Sequence, residues 1–358
     1  MNLFRTTKPS WNCSGMLALL LCGLMSCAFA QCEAANRDLA NEFSVPVLLI
    51  HFFPTNGPNI DITQTGDWGR PLADTREKTK RQTLEIINAL QEGSRFRAFR
   101  NSNAPPCLHY QVVGSLEFLS PLPTRFKLGH RVPMTDYRRI MDLVHIEDWV
   151  QHKGVKEVWI WAYHGGKVDL WESNMASRFG DVSNSDRDLS DLPVLSATYT
   201  VYHYNYQRGT SEAVEDHMHQ IEAVLNHLDG RDTTAPNRWP TLLFWGHFVG
   251  SDRSNKIVRP GSGWAHYPPN GERDYDWANP RYVETDMDDW MPDGGGKKIR
   301  MNCERWGGNS LRWFVYWMQH LPGPGNDLIF EGRPLNNWWV FIGDYDFARE
   351  KSLGLVQK

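Results

Sequence analysis

Two hydrophobic periods alternate along the chain. Continuous apolar runs bounded by turn residues mark buried strands, and apolar positions three and four apart mark helices. Val45 to Phe53 is such a run, closed by Pro54, Asn56, Gly57 and Pro58. Tyr110 to Leu119 reads as a second strand and Val155 to Tyr163 as a third, followed at once by His164, Gly165 and Gly166. Tyr199 to Tyr206 is rich in β-branched and aromatic residues, the composition of a strand. Trp239 to Phe248 and Trp338 to Phe347 are further apolar runs, read as two more strands. Between them, Asp74 to Glu92, Asp136 to Lys153, Thr210 to Leu228 and Asn309 to Leu321 carry the helical spacing, with Thr75 as the cap of the first. Asp169 to Leu195 and Arg253 to Lys298 read as loops, the first carrying Glu172, Asn174, Asp181, Asp186, Asp188 and Asp191.

This alternation predicts an α/β fold with a largely parallel central sheet, helices flanking it and long loops over the carboxyl ends of the strands. Each predicted strand ends on a polar residue: His51, His164, Asn205 with Arg208, His247 and Asp344. Ligands of open α/β sheets bind at the carboxyl ends of strands, so these groups are expected to converge. Any one histidine there is more often a satisfied structural group, and the set is what points to a site.

The helix from Thr210 to Leu228 concentrates the chemistry. At about 100° per residue, Val214, Met218, Ile221, Leu225 and Leu228 form an apolar stripe. Glu215, His219 and Glu222 align on another face, and His217 sits at the flank of the stripe. An acidic face turned to water is the plain alternative. The sharper reading makes Glu172, Glu215 and His164 catalytic and His219, Glu222, His247 and His266 metal ligands. A mixed histidine and carboxylate set suits zinc, and carboxylates alone suit calcium or magnesium. HExxH, GxSxG, Walker A and GxGxxG motifs are all absent, which removes the common zinc-protease helix, the serine nucleophile elbow and the nucleotide-binding loops.

The amino terminus reads as an export signal: Arg5 and Lys8, the apolar run Met16 to Met25, then Ala28-Phe29-Ala30. This predicts a signal peptide over 1–30 and a single α/β domain over 31–358. A lipobox ending in Cys27 is the rival, which would leave a lipid anchor. Either way the mature chain is expected to be secreted or periplasmic, with no transmembrane anchor, because the apolar run is too short to span a bilayer. Of six cysteines, Cys32, Cys107 and Cys303 follow the signal, and a Cys107–Cys303 disulfide is expected with Cys32 left over. A net charge of −4 without basic runs argues against nucleic acid as a partner.

EVWIWAYHGG, WESNM, YNYQRGTSEAVEDHMHQIEAVL, HYPPNGERDYDW and NWW together resemble a family of exported microbial proteins. The resemblance spans most of the chain after the signal and implies a full-length member, not a fusion. It assigns no activity and no residue role. Two functions follow from the residues themselves. One is an exported hydrolase, metal-dependent or using Glu172 and Glu215 as an acid–base pair, acting on an extracellular glycan or peptide or on a small molecule. The other is a non-catalytic carbohydrate- or protein-binding protein. It is suggested by sixteen tryptophans, eight of them from Trp264 to Trp339, with Trp264, Trp277, Trp290 and Trp306 as an exposed stacking row.

Overall fold

The structure is a computed structural model that describes residues 41–185, 189–251 and 261–358. The segment read as a signal peptide, with Cys27 and Cys32, lies outside the described residues, as do Asp186 and Asp188. Glu42 to Lys358 form one compact unit.

Five strands build the main sheet: β1 (Phe43–Phe52), β2 (Leu108–Phe118), β3 (Glu157–Ala162), β4 (Ser173–Ala176) and β5 (Tyr199–Asn205). Their order is β2-β1-β3-β5-β4. All neighbours are parallel except β4, which runs antiparallel to β5 on the edge. β3 is buried along its whole length and β1 along most of it, as continuous apolar strands of a covered parallel sheet must be. Registers pair His51 with Trp161 and Trp161 with Tyr204. The central strands therefore end level with one another, and the segments after β3 and β5 leave the sheet side by side.

The five longest α-helices among the described residues are α1 (Leu72–Gly93), α2 (Tyr137–Leu143), α3 (Ile146–Lys153), α4 (Thr210–Leu228) and α5 (Ser310–Met318). α4 contacts β4, β5, α1 and α5 and is the hub of the helical layer. Its apolar stripe is buried as the periodicity requires: Val214, Met218, Ile221 and Leu225 all lie in the core. The α3 indole of Trp149 is pressed against Gly114 of β2, where an added Cβ would stand 2.4 Å from the ring, so this approach needs glycine.

Several expectations are corrected. Asp136–Lys153 is two helices, because His145 turns into the left-handed region at φ 53° and breaks the ladder. α1 starts after Pro71; the Thr75 hydroxyl bonds the Pro71 carbonyl oxygen and receives the Trp68 indole N–H, so it is no cap. Trp239–Phe248 is not a strand but a short 3₁₀ turn (Pro236–Thr241) and a π-type turn (Leu243–Val249). The Asp229 carboxylate draws the backbone N–H groups of Leu243 and Phe244 at 3.3 and 2.8 Å, and Gly250 closes the turn in the left-handed region. Trp338–Phe347 is likewise helical, split at Asp344, whose side chain caps Tyr345–Glu350. Both runs are apolar all round, and that pattern alone does not separate a buried strand from a buried helix. β4, inside the predicted Asp169–Leu195 loop, escaped the reading because it is only four residues long.

Cys107 and Cys303 are free thiols, so the expected disulfide is not formed. Cys107 is sealed in the core at the start of β2, where burial pushes its thiol up to about 12, while Cys303 begins a partly exposed 3₁₀ turn. No helix among the described residues is long and apolar enough to cross a membrane.

Glu157 opens β3 as a buried carboxyl, accepting from the Trp159 indole at 2.7 Å and the Tyr110 hydroxyl at 3.4 Å. Burial raises its pKa to about 8 against the opposing hydrogen bonds. A group whose folded pKa lies above its unfolded value stabilises the fold below the unfolded pKa and loses that contribution as pH rises through the folded one. The melting temperature should therefore fall between pH 5 and pH 9. Glu157→Gln, whose amide oxygen can accept from the Trp159 indole while its amide nitrogen donates to the Tyr110 hydroxyl oxygen, should flatten that fall; an unchanged pH dependence in the variant would contradict the assignment.

Candidate metal centre

Gly209 ends the segment after β5, and Glu212 folds back to accept its N–H at 3.1 Å, fixing the first turn of α4. From this start Glu215, His219 and Glu222 fall on one helix face, each one turn above the last. A turn from Trp264 to Tyr267, closed by reciprocal backbone bonds of 2.9 and 3.0 Å, approaches the same face. Ala265 is clamped at both backbone groups. Its N–H donates to Glu222 Oε1 at 2.7 Å, and its carbonyl oxygen accepts from the indoles of Trp277 at 2.8 Å and Trp313 at 3.1 Å. His266 is thereby delivered to His219.

Three atoms then converge. His219 Nε2 lies 3.1 Å from His266 Nε2, His266 Nε2 lies 2.9 Å from Glu215 Oε1, and His219 Nε2 lies 3.7 Å from the same oxygen. Each histidine also offers its other nitrogen to a carboxylate: His219 Nδ1 to Glu222 Oε2 at 3.2 Å, and His266 Nδ1 to Asp274 Oδ1 at 3.5 Å. With the Nδ1–H of His219 engaged by Glu222, its Nε2 faces His266 and the anionic Glu215 oxygen, where it can carry a proton or ligate an ion in its place. Positive charge, carried by a proton or by a metal ion, stabilises such a triangle. Ligand atoms about 2.0–2.1 Å from a tetrahedral zinc stand about 3.3 Å apart, and the observed edges bracket that value. Glu215, His219 and His266 form a group able to hold a metal ion, with Glu222 orienting the His219 ring from behind.

A proton competes with a metal ion for these atoms. Burial disfavours charge on Glu215, but the hydrogen bonds from His219 and His266 outweigh it and hold the carboxyl below its ordinary range. Burial also works against a charged His219, and the carboxylates of Glu215 and Glu222 overcome it, raising the imidazole well above its usual pKa. In both cases the group is tuned to an opposite charge at the triangle.

Two clefts open from the centre. One, of about 540 Å³, is lined by His219, His266, Trp264 and Asn226. The other, of about 640 Å³, is lined by Glu215, Asp216, His164, His203, Tyr275 and Trp277. Glu172 belongs to both, and the Asn184 amide donates to its carboxylate. Asp216 is driven well above the carboxylate range by burial and then by Glu172.

The sequence-predicted residues thus divide. Glu215, His219 and His266 meet at the triangle, with Glu222 bound to the distal nitrogen of His219 and not to the convergence point. Glu172 and His164 stand on the cleft walls, and His164 Nδ1 is committed to the Val168 carbonyl. His247 is outside the cluster: it lies on the π-type turn, Nδ1 2.7 Å from the Pro292 carbonyl oxygen and its ring edge-on to Phe330. Of the polar strand ends, His164, Asn205 and Arg208 share one cleft, whereas His51, His247 and Asp344 line neither. Trp290 and Trp306 are buried and Trp264 and Trp277 half-buried, so these four form no exposed row. Asp274 and His203 escaped the reading. A loop aspartate eight residues after a histidine carries no local signal, and His203 sits between two tyrosines inside a buried strand.

Comparison of the chain with protein-family models, with curated proteins and with solved structures finds no match.

Glu222→Gln and His217→Ala separate the two faces of α4. The first substitution would keep the Ala265 bond through the amide oxygen but turn the amide nitrogen toward His219 Nδ1, so zinc affinity should fall about 10–100-fold with little change in melting temperature. His217 is buried, stacked on Tyr202 at 3.8 Å with Nε2 2.6 Å from the Tyr204 hydroxyl. Its removal should cost roughly 1–3 kcal/mol of stability and leave zinc affinity unchanged. Zinc titration and thermal melts of the two variants check this; the opposite assignment of losses would contradict it.

Proposed function

We propose that the protein is an exported, metal-dependent hydrolase acting on an extracellular polymer. The observation that carries the reading is the Glu215–His219–His266 triangle facing a cleft that holds a further carboxylate, Glu172. Three protein ligands with an open position is the composition of a catalytic zinc site, whereas structural sites close with four. A zinc ion bound there would lower the pKa of a bound water toward neutrality.

The chain's own groups take the remaining roles. Glu222 orients the His219 imidazole, Asp274 lies 3.5 Å from His266 Nδ1, and Glu215 supplies the anionic ligand. Glu172, on the wall common to both clefts and fixed by Asn184, is the group we assign as general base. Clefts on either side of the centre suit a polymer running past it better than a small molecule enclosed by it. Export is inferred from the charged and apolar amino terminus followed by Ala28-Phe29-Ala30. A binding protein without catalysis would use Trp264 and Trp277, since both line these clefts, and would leave the paired carboxylates idle.

The test is hydrolysis of dye-linked glycans and of casein by purified protein that has been stripped with a chelator and then reloaded. Activity on one of these polymers should vanish on stripping and return with zinc. Glu172→Gln should lower kcat by about a hundredfold or more while zinc content stays at the wild-type level. Activity that survives complete removal of metal would overturn the reading.

A further inference from the structure

Both clefts carry buried, uncharged polar atoms that the protein leaves unpaired. His203 is 1 % exposed and lines the cleft of Glu172 and Asp216. The Trp171 N–H donates to the Tyr137 hydroxyl oxygen at 2.7 Å, which leaves the Tyr137 hydrogen for His203 Nδ1 at 2.9 Å. Burial keeps the imidazole neutral, with a pKa of about 3, so its proton sits on Nε2. That Nε2–H, on the opposite edge of the ring, has no partner. In the reverse tautomer Nε2 would be a bare lone pair awaiting a cation, and no second metal-ligating group of three occurs among the described residues. Across the centre, Asn226 Oδ1, Ser183 Oγ and Trp264 Nε1 are buried atoms without partners, and all three residues line the other cleft.

Leaving such groups unsatisfied is costly, so a ligand is expected to complete them. The unpaired set offers neutral donors and acceptors, the complement of hydroxyl groups. Aromatic faces stand beside it: Trp264 in one cleft, Tyr275 and Trp277 in the other. Aliphatic surface for peptide side chains is scarce, limited to Val182 and Ala223 on one side and Leu170 and Ala213 on the other. Asp169, Glu172, Glu212 and Glu215 against a lone Arg208 repel anionic chains from the larger cleft.

We propose that the two clefts bind one uncharged glycan chain running past the Glu215–His219–His266 group, hydrogen-bonded by His203 on one side and by Asn226 and Trp264 on the other. The proposal rests on the hydrolase reading and names the polymer it leaves open.

Isothermal titration calorimetry of the zinc-loaded Glu172→Gln protein tests it, with cellohexaose, chitohexaose and xylohexaose as neutral probes, an oligogalacturonate as the anionic probe and casein peptides as the protein probe. At least one neutral hexasaccharide should bind, and its disaccharide should bind at least about tenfold more weakly, because it reaches one cleft only. His203→Phe and Asn226→Leu should each weaken the hexasaccharide about tenfold or more without loss of zinc, and Trp264→Phe, which deletes only the indole N–H and one ring, decides if either of those fails to fold. Zinc retained with no neutral hexasaccharide bound, or casein peptides bound in their place, would overturn the glycan assignment and leave the hydrolase reading standing. Unchanged affinity in the variants would overturn it as well. Absence of zinc binding would remove the hydrolase reading and this proposal with it.

Discussion

One carboxylate ties the candidate site together. Glu222 uses Oε2 for the distal nitrogen of His219 and Oε1 for the backbone N–H of Ala265. The first contact sets the tautomer of a ligand on α4, and the second pins the distant turn that carries His266. A single buried side chain thus fixes both the orientation of one imidazole and the distance to the other. The two histidines otherwise belong to unrelated elements, a helix and a loop, and Glu222 is the side chain that bonds both the His219 ring and the backbone of the turn carrying His266, whose Nε2 atoms stand 3.1 Å apart.

The rest of the fold serves that contact. β1, β3 and β5 end level, so the chain leaves β5 at the carboxyl edge of the sheet and enters α4 within five residues. The apolar stripe of α4 anchors the helix on the core and orients Glu215, His219 and Glu222 away from it. The tryptophans act from the other side. Trp277 and Trp313 donate to the Ala265 carbonyl and Trp317 to the Gly263 carbonyl, so the indoles lock the turn by their N–H groups while their rings fill the core. Three of the eight tryptophans from Trp264 to Trp339 thus support this one loop, while Trp290, Trp306 and Trp338 are buried and bond other backbone carbonyls.

Much of this was legible in the residues and some was not. The continuous apolar runs around Ile50 and Ile160 announced parallel strands, and the i, i+4, i+7 spacing placed Glu215, His219 and Glu222 on one face. Helical spacing could not say which of the three meets a partner head-on and which stands behind. That depends on where the Trp264–Tyr267 turn docks, a long-range contact with no local signature. The apolar segment holding His247 misled in the opposite way. Its hydrophobicity fits a buried strand as well as a buried turn, and the deciding feature is the Asp229 carboxylate, fourteen residues upstream of Leu243. His203 was hidden because a strand buried on both faces shows no pattern that distinguishes a packed histidine from one with a free edge.

The most direct measurement is X-ray absorption at the zinc edge of protein reconstituted with one equivalent of zinc. The account requires a first shell of nitrogen and oxygen at about 2.0–2.1 Å with the multiple scattering of two imidazoles and no sulfur. A shell containing the thiolate of Cys303, or oxygen ligands without imidazole, would place the ion elsewhere and contradict the centre built by Glu215, His219 and His266.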